Sequence, residues 1–292
     1  MKETVLKSFA ATRRRREIWD KAMVTVLFLC AASVLFILFV ILWHLIARGL
    51  SSLNPAFFTQ LPKAVGEKGG GMANAIIGTF VLLILAVCVG VPLGLGAGVY
   101  LGEYAHHRFA QTVLFVTDVM NGIPSIVFGI FAYTICVLPM KAFSALSGGL
   151  ALGFMMIPMI TRTSEQFVKM VPNQLREAGL ALGLPKWRVV TGIIVPSAIG
   201  GIMTGIMVAL ARVAGETAPL LFTAFGNLHY SQSLTQPISA IPLQIFNYAV
   251  SPYEDWHRQA WAGALVLIVM VFLINIWAQY FVYSRKRWSA GK

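Results

Sequence analysis

Residues 171–196 read VPNQLREAGLALGLPKWRVVTGIIVP. The spacing predicts a short helix over 174–182 with Asn173 as its N-cap. Gly183 is suited to stop that helix, and Pro185 follows two residues on. A second short helix begins at Pro185. A helix of about ten residues is ~15 Å long, too short to cross a bilayer. Leu175, Ala178 and Leu182 share one face at i, i+3, i+7 spacing, beside the charged Arg176 and Glu177. Such a helix either lies on a membrane surface or docks on a partner.

The chain is apolar on both sides of this segment. It has 292 residues, 58% of them hydrophobic and 12% charged. Soluble domains carry about 45–50% and about 25%. The excess is gathered in long runs at 22–47, 75–101, 112–138, 146–161, within 192–226 and at 260–283. Each except 146–161 reaches or exceeds the roughly 20 residues that cross a ~30 Å hydrocarbon core. The first run is longer than the ~7–15 apolar residues of a signal peptide, so it reads as a retained span. The 192–226 stretch is too long for one straight span. Pro196 and the pair Gly200–Gly201 put its first turns at the interface, so the span starts near 199 with Arg212 near its middle. The expected architecture is an all-α polytopic membrane protein of six spans. A basic segment (1–21) precedes the membrane domain (22–283), which carries a polar loop at about 162–191, and a tail (284–292) follows.

The formal net charge is +12. On a soluble protein this would suggest nucleic acid. Here the basic residues flank apolar runs and set topology, so no nucleic-acid partner is expected. Seventeen of the 23 Lys and Arg fall in 1–21, 102–111, 162–190 and the C-terminal tail. Only Lys63, Lys68, Lys141 and Arg258 fall in the alternating loops. The excess of Lys and Arg in cytoplasmic loops then makes both termini cytoplasmic. The loops at 49–73, 139–145 and 227–259 face outward. Cys30, Cys88 and Cys136 are widely spaced inside apolar runs, so neither disulfide nor metal site is implied. The sequence has no G-x-x-x-x-G-K-[ST] phosphate loop. If ATP drives this protein, ATP and Mg are bound by another chain. Tyr253–Trp256 and Trp261 fit an aromatic belt against membrane lipids.

One apolar stretch keeps charges: LARVAGETAPLLF, 210–222. An ionised side chain at mid-membrane costs about 2.5–3.5 kcal/mol on insertion scales. Arg212 and Glu216 are four residues apart and share a helix face. They form a self-neutralising pair, or Arg212 lines an anion path with Glu216 holding it or switching partners. The planar guanidinium fork suits oxyanions. Thr217 and Pro219 follow on the same segment, and Pro219 frees nearby carbonyls. Ser125, after Pro124, lines a pore or caps a kinked helix. Asp118 joins a gate, snorkels or pairs locally. Glu103, His106 and His107 read as a solvated basic loop.

Two resemblances narrow this reading. EAGLALG (177–183), nine residues, then IIVP (193–196) resembles the conserved cytoplasmic loop of ABC-importer permeases, with Glu177, Ala178, Gly183, Ile193 and Pro196 matching. Gly179 and Val195 depart from it, replacing an Ala and a Leu. The resemblance implies a helix seated in a cleft of an ATPase subunit. ALARVAGETAPLLFTAFGN (209–227) is similar to the signature of the phosphate-specific ABC permeases of the PstA family. GGGMANAIIGT (69–79), GIPSIVFGIFAYT (122–134), REAGLALGLPKW (176–187) and GGIMTGIMVALAR (200–212) support it. That family implies a type I ABC-importer permease fold and transport of inorganic phosphate across a bacterial inner membrane. It implies no enzymatic activity in this chain, and Arg212 and Glu216 as the transport-critical charges. The implied partners are a second homologous permease, two ATP-binding cassette subunits and an extracytoplasmic phosphate-binding protein. Rival readings are a permease for sulfate or molybdate, an ion-coupled secondary transporter, and a signalling or scaffold membrane protein.

Overall fold

A computed structural model describes residues 2–64, 67 and 69–290, with side chains from 16 to 280. The basic side chains of residues 2–15 and of the 284–292 tail, and Lys68, lie outside the described residues. The helices are α1 (Lys2–Leu50), α2 (Pro55–Thr59), α3 (Ala73–Glu103), α4 (Arg108–Gly122), α5 (Ser125–Met140), α6 (Ala145–Lys169), α7 (Asn173–Ala181), α8 (Lys186–Ala214), α9 (Ala218–Thr223), α10 (Ile241–Ala249) and α11 (Glu254–Ala290). Among the described residues there is no strand, only an isolated bridge between Phe225 and Ile238. Five helices (α1, α3, α6, α8 and α11) are long and apolar enough to cross a membrane. The bent pair α4–α5 makes a sixth span if taken as one.

Three expectations change. The run at 112–138 is no straight helix: α4 and α5 meet at 107° across Ile123–Pro124. Pro124 has no N–H, and the residue before a proline is driven out of the helical region; Ile123 and Pro124 are both extended. The fourth helix does not end at 161 but runs to Lys169. The fifth does not start near 199 but at Lys186, and continues through Pro196. One π-type turn, Val190–Ile194, lies just ahead of that proline. A second, Tyr133–Val137, lies ahead of Pro139 in α5. A widened turn relaxes the ladder where a proline withdraws a donor.

The core is the parallel pair α3–α6. Gly90, Gly94, Gly98 and Gly102 lie one turn apart on α3 and face Met156, Ile160, Ser164 and Val168 in register. From α6, Gly149 and Gly153 answer with backbone against Leu85 and Val89. Between membrane helices apolar surface gains little by leaving lipid, so close approach at small residues supplies the attraction. A methyl group at Gly98 would stand 2.5 Å from Ser164 Cβ and 2.6 Å from the Thr161 carbonyl, whereas one at Gly96 meets nothing within 4 Å. Gly98→Ala is expected to destabilise the chain by about 1–3 kcal/mol, the usual cost of overpacking. Gly96→Ala is expected to be neutral. Thermal unfolding of the two variants in detergent, read side by side, checks this.

α8 packs antiparallel on α6: Gly201 lies against Phe167 and Gly205 against Thr163. Continuing that register by two turns sets residues 212–213 level with about 155–156, near the centre of Ala145–Lys169. Val213 and Leu152 accordingly line one small cavity. At its N-terminus α6 is capped by Ser144 through a reciprocal capping box with Ser147. The same serines bind the end of α9: Ser144 N–H donates to the Thr223 carbonyl (3.0 Å) and Ser147 Oγ donates to it at 2.8 Å.

Candidate functional site

Arg212 lies in the last turn of α8, and Gly215 caps that helix. Glu216 and Thr217 are the non-helical link, and α9 then runs to Thr223. The apolar segment is therefore broken level with the centre of α6 rather than continuous. The N–H groups of Gly215 and Glu216 turn back onto the carbonyls of Arg212 and Val213 at 3.2 Å each. Pro219 does not interrupt a helix, contrary to its expected role. It sits in the first turn of α9, where its missing donor costs nothing. The break comes from Gly215–Thr217.

Arg212 Nε is 3.9 Å from Glu216 Oε1. The Arg212 side chain is 56% exposed and Glu216 18%. So loose a contact leaves most of the guanidinium donors open. Val208 and Thr204, one and two turns back along α8, are also exposed. Half-buried Ser125 opens α5 after the bend. One turn on, Gly129 abuts the backbone of Pro219, about a turn past Glu216; a methyl at Gly129 would lie 2.7 Å from Pro219 Cα. The two breaks in the backbone thus stand side by side. Among the described residues no hydrogen bond joins Ser125 to Arg212 or Glu216.

α7 forms where the spacing predicts it, one residue early. Asn173 is its first residue and not its cap; Pro172 holds the cap position. The Asn173 Oδ1 instead accepts from Arg176 Nη1 at 3.1 Å. Gly183, at φ 76°, ends the helix. Its N–H reaches the Leu180 carbonyl (2.9 Å), and the Leu184 N–H reaches that of Gly179 (3.4 Å), the paired bonds of a Schellman stop. Gly179 is buried against Val189 and Ile193; a methyl there would come within 3.0 Å of both. Leu175, Glu177, Ala178 and Leu182 are all exposed, Leu182 at 79%. The apolar face predicted for α7 therefore points away from this chain.

Charged pairs missed in the sequence tie α6 to α4 and α7 to α3. Arg162 donates from Nε to Asp118 Oδ1 (2.7 Å) and from Nη1 to Glu165 Oε2 (2.8 Å). Lys169 Nζ donates to Glu165 Oε1 at 2.7 Å, and Glu165 is buried. Asp118 thus pairs across two helices, not locally. Glu103 is not in a solvated loop: its side chain is 5% exposed and pairs with Arg176 at 2.9 Å. The spacing of Arg162, Glu165 and Lys169 at i, i+3, i+7 was the available signal; read as topology markers, they were not read as a helix face.

A family model described as binding-protein-dependent transport system inner membrane component matches residues 90–287. A phosphate transport system permease protein PstA of Yersinia pestis is 41% identical, covering 94% of this chain and 95% of its own length. That of Xylella fastidiosa strain Temecula1 is 43% identical, covering 94% and 96%. The chain belongs to the PstA family of binding-protein-dependent permeases. A Mycobacterium tuberculosis PstA 1 is 35% identical over 94% of this chain and 92% of its own. Among solved structures, the inward-facing MetNI methionine ABC transporter superposes with a TM-score of 0.58 at 19% identity, covering 72% of this chain and 92% of that one. An amino acid ABC transporter with histidines gives 0.52 at 17%, covering 71% and 90%. These two share the fold of a type I importer permease.

Within this PstA-family chain, the stretch GGGMANAIIGT is structural. Gly71 lies against the carbonyls of Ala56, Phe57 and Gln60, and Gly78 against that of Ser239. Asn74 Nδ2 donates to the Asn227 carbonyl at 2.6 Å, and Thr79 Oγ1 accepts from the Ile241 N–H at 2.8 Å. These contacts fasten α2 and the segment 227–241 onto the start of α3.

Proposed function

We propose that this chain is the membrane permease subunit of an ATP-driven importer of inorganic phosphate. The observation that carries the reading is a half-exposed guanidinium at mid-membrane depth, where the helix bearing it ends. In lipid that exposure would be heavily penalised. It is tolerable where the face of α8 borders a water-filled path between this chain and a second permease. Phosphate is favoured as the cargo because relatives at 41% and 43% identity over nearly the whole chain are phosphate transport system permeases. Arg212 then offers its donor fork to the anion. Glu216, close but not tightly bonded, keeps the charge compensated when the anion leaves. Thr217, Pro219 and Ser125 shape the broken backbone around it.

The exposed apolar face of α7, with Glu177 and Ala178, docks in a cleft of an ATP-binding subunit. Gly179 and Gly183 set its packing and its end. Two such subunits bind ATP and Mg; hydrolysis occurs there and not in this chain. A binding protein delivers phosphate at the outer face, and both termini lie in the cytoplasm. ATP binding closes the ATPases, moves α7 and switches the access of the cavity beside Arg212.

Radiolabelled phosphate uptake tests the cargo, in cells lacking their own high-affinity system and supplied with this chain and its partner subunits. Uptake that excess sulfate or molybdate leaves unchanged is expected. Competition by either anion at similar concentration moves the assignment to a broader oxyanion permease.

A further inference from the structure

Arg176 lies on α7 but turns inward, opposite to Leu182 and the docking face. Its Nε donates to Glu103 Oε1 (2.9 Å), Nη1 to the Val171 carbonyl and to Asn173 Oδ1, and Nη2 to the Val168 carbonyl (2.7 Å). Four of the five guanidinium N–H groups are thereby engaged. Glu103 is the last residue of α3, and Val168 and Val171 bracket the end of α6. Elsewhere α7 packs on the start of α8, and its backbone does not pack closely on α3 or α6. A cavity of about 350 Å³, lined by Glu103, His106, Lys169, Arg176 and Lys186, separates them. Besides the three-residue link 170–172 and the packing of α7 on α8, Arg176 is the side chain that ties the docking helix to the ends of both central spans.

We infer that Arg176, held by Glu103, is the positioning joint that carries movement of α7 into the membrane. This rests on the reading that α7 docks on an ATPase. The physical basis is stiffness. A planar fork bonded to a carboxylate and two carbonyls fixes direction as well as distance, which one ammonium on a flexible stem does not. The far side of the joint is rigid as well. The glycine contacts lock α3 to α6, and Gly201 and Gly205 lock α6 to α8, which ends at Arg212. Displacement of α7 therefore moves these three helices as one body.

The test uses the assembled complex in inverted membrane vesicles, with Cys30, Cys88 and Cys136 replaced by serine and Thr204→Cys as reporter. Thr204 is exposed on α8, two turns back from Arg212. Its labelling by a membrane-impermeant maleimide is read with and without ATP and vanadate, so no cargo is involved. The unaltered complex is expected to change labelling several-fold on trapping. Arg176→Gln is expected to abolish the change while ATP hydrolysis continues. Phosphate transported per ATP should fall at least roughly tenfold, the effect of losing one charge-assisted hydrogen bond. Arg176→Lys is expected to behave like Gln. Glu103→Gln, which keeps the bonds to Val168, Val171 and Asn173, should give an intermediate change and covers the case in which Arg176→Gln fails to assemble. Labelling that responds to nucleotide equally in these variants and the unaltered complex would overturn the joint. So would labelling that ignores nucleotide in every form, since nothing would then be transmitted. Cargo competition in the uptake assay, read separately, bears only on the phosphate assignment.

Discussion

Glu177→Lys is expected to leave the chain in the membrane at its normal level and to abolish uptake. Glu177 is exposed on α7 beside Ala178, on a helix whose apolar face is turned out of the protein. Among the described residues no ion pair or hydrogen bond uses its carboxylate, so folding has no reason to suffer. A docking partner does depend on it. Juxtaposing like charges in an interface costs several kcal/mol, which is roughly a hundredfold or more in occupancy of the docked state. Uptake together with quantified membrane protein checks this. Full uptake by the lysine variant would mean that α7 lies on the membrane surface and that ATP coupling enters elsewhere.

Arg212→Gln is expected to assemble and to transport poorly. The side chain makes one loose contact, 3.9 Å to Glu216, and is otherwise open. Removing it therefore sacrifices little packing. Losing a hydrogen bond to a charged ligand costs about 1.5–3 kcal/mol, or roughly ten- to a hundredfold in rate. Glu216 is then left as a lone charge at mid-depth, which adds a penalty of its own. Arg212→Lys keeps the charge but not the fork, and is expected to fall between the two. Phosphate uptake at matched expression separates the three forms. If the glutamine variant transports normally, the pair serves only to neutralise itself.

Much of this was legible in the sequence, for physical reasons that differ by region. Apolar run length reveals spans because lipid demands about 20 residues of helix. The α7 stop was legible because a left-handed residue at a helix end is nearly always glycine, and Gly183 is that residue. Long-range backbone adjustments were less so. Pro196 reads as a helix boundary, yet a π turn at Val190–Ile194 carries the helix past it. Conversely, the third run reads as continuous although the backbone turns by 107° at Ile123–Pro124. Arg212 lies level with the centre of α6, but in the last turn of its helix rather than in the middle of one. Its depth follows from the register of α8 on α6, not from a helix centred on it. The pairs Arg176–Glu103 and Arg162–Asp118 bring together residues far apart in the chain, and no local pattern announces such contacts. The α3 ladder is absent from the sequence reading, although four glycines at four-residue spacing, Gly90 to Gly102, form a small-residue pattern of the kind that marks close helix packing.

The central claim is that ATP bound by partner chains drives phosphate past Arg212. It is tested most directly by purified complex in proteoliposomes, with radiolabelled phosphate and binding protein on the outer-face side and Mg-ATP on the other. The account predicts accumulation that requires ATP and persists when the proton gradient is collapsed. Accumulation driven by a proton gradient without ATP would contradict it.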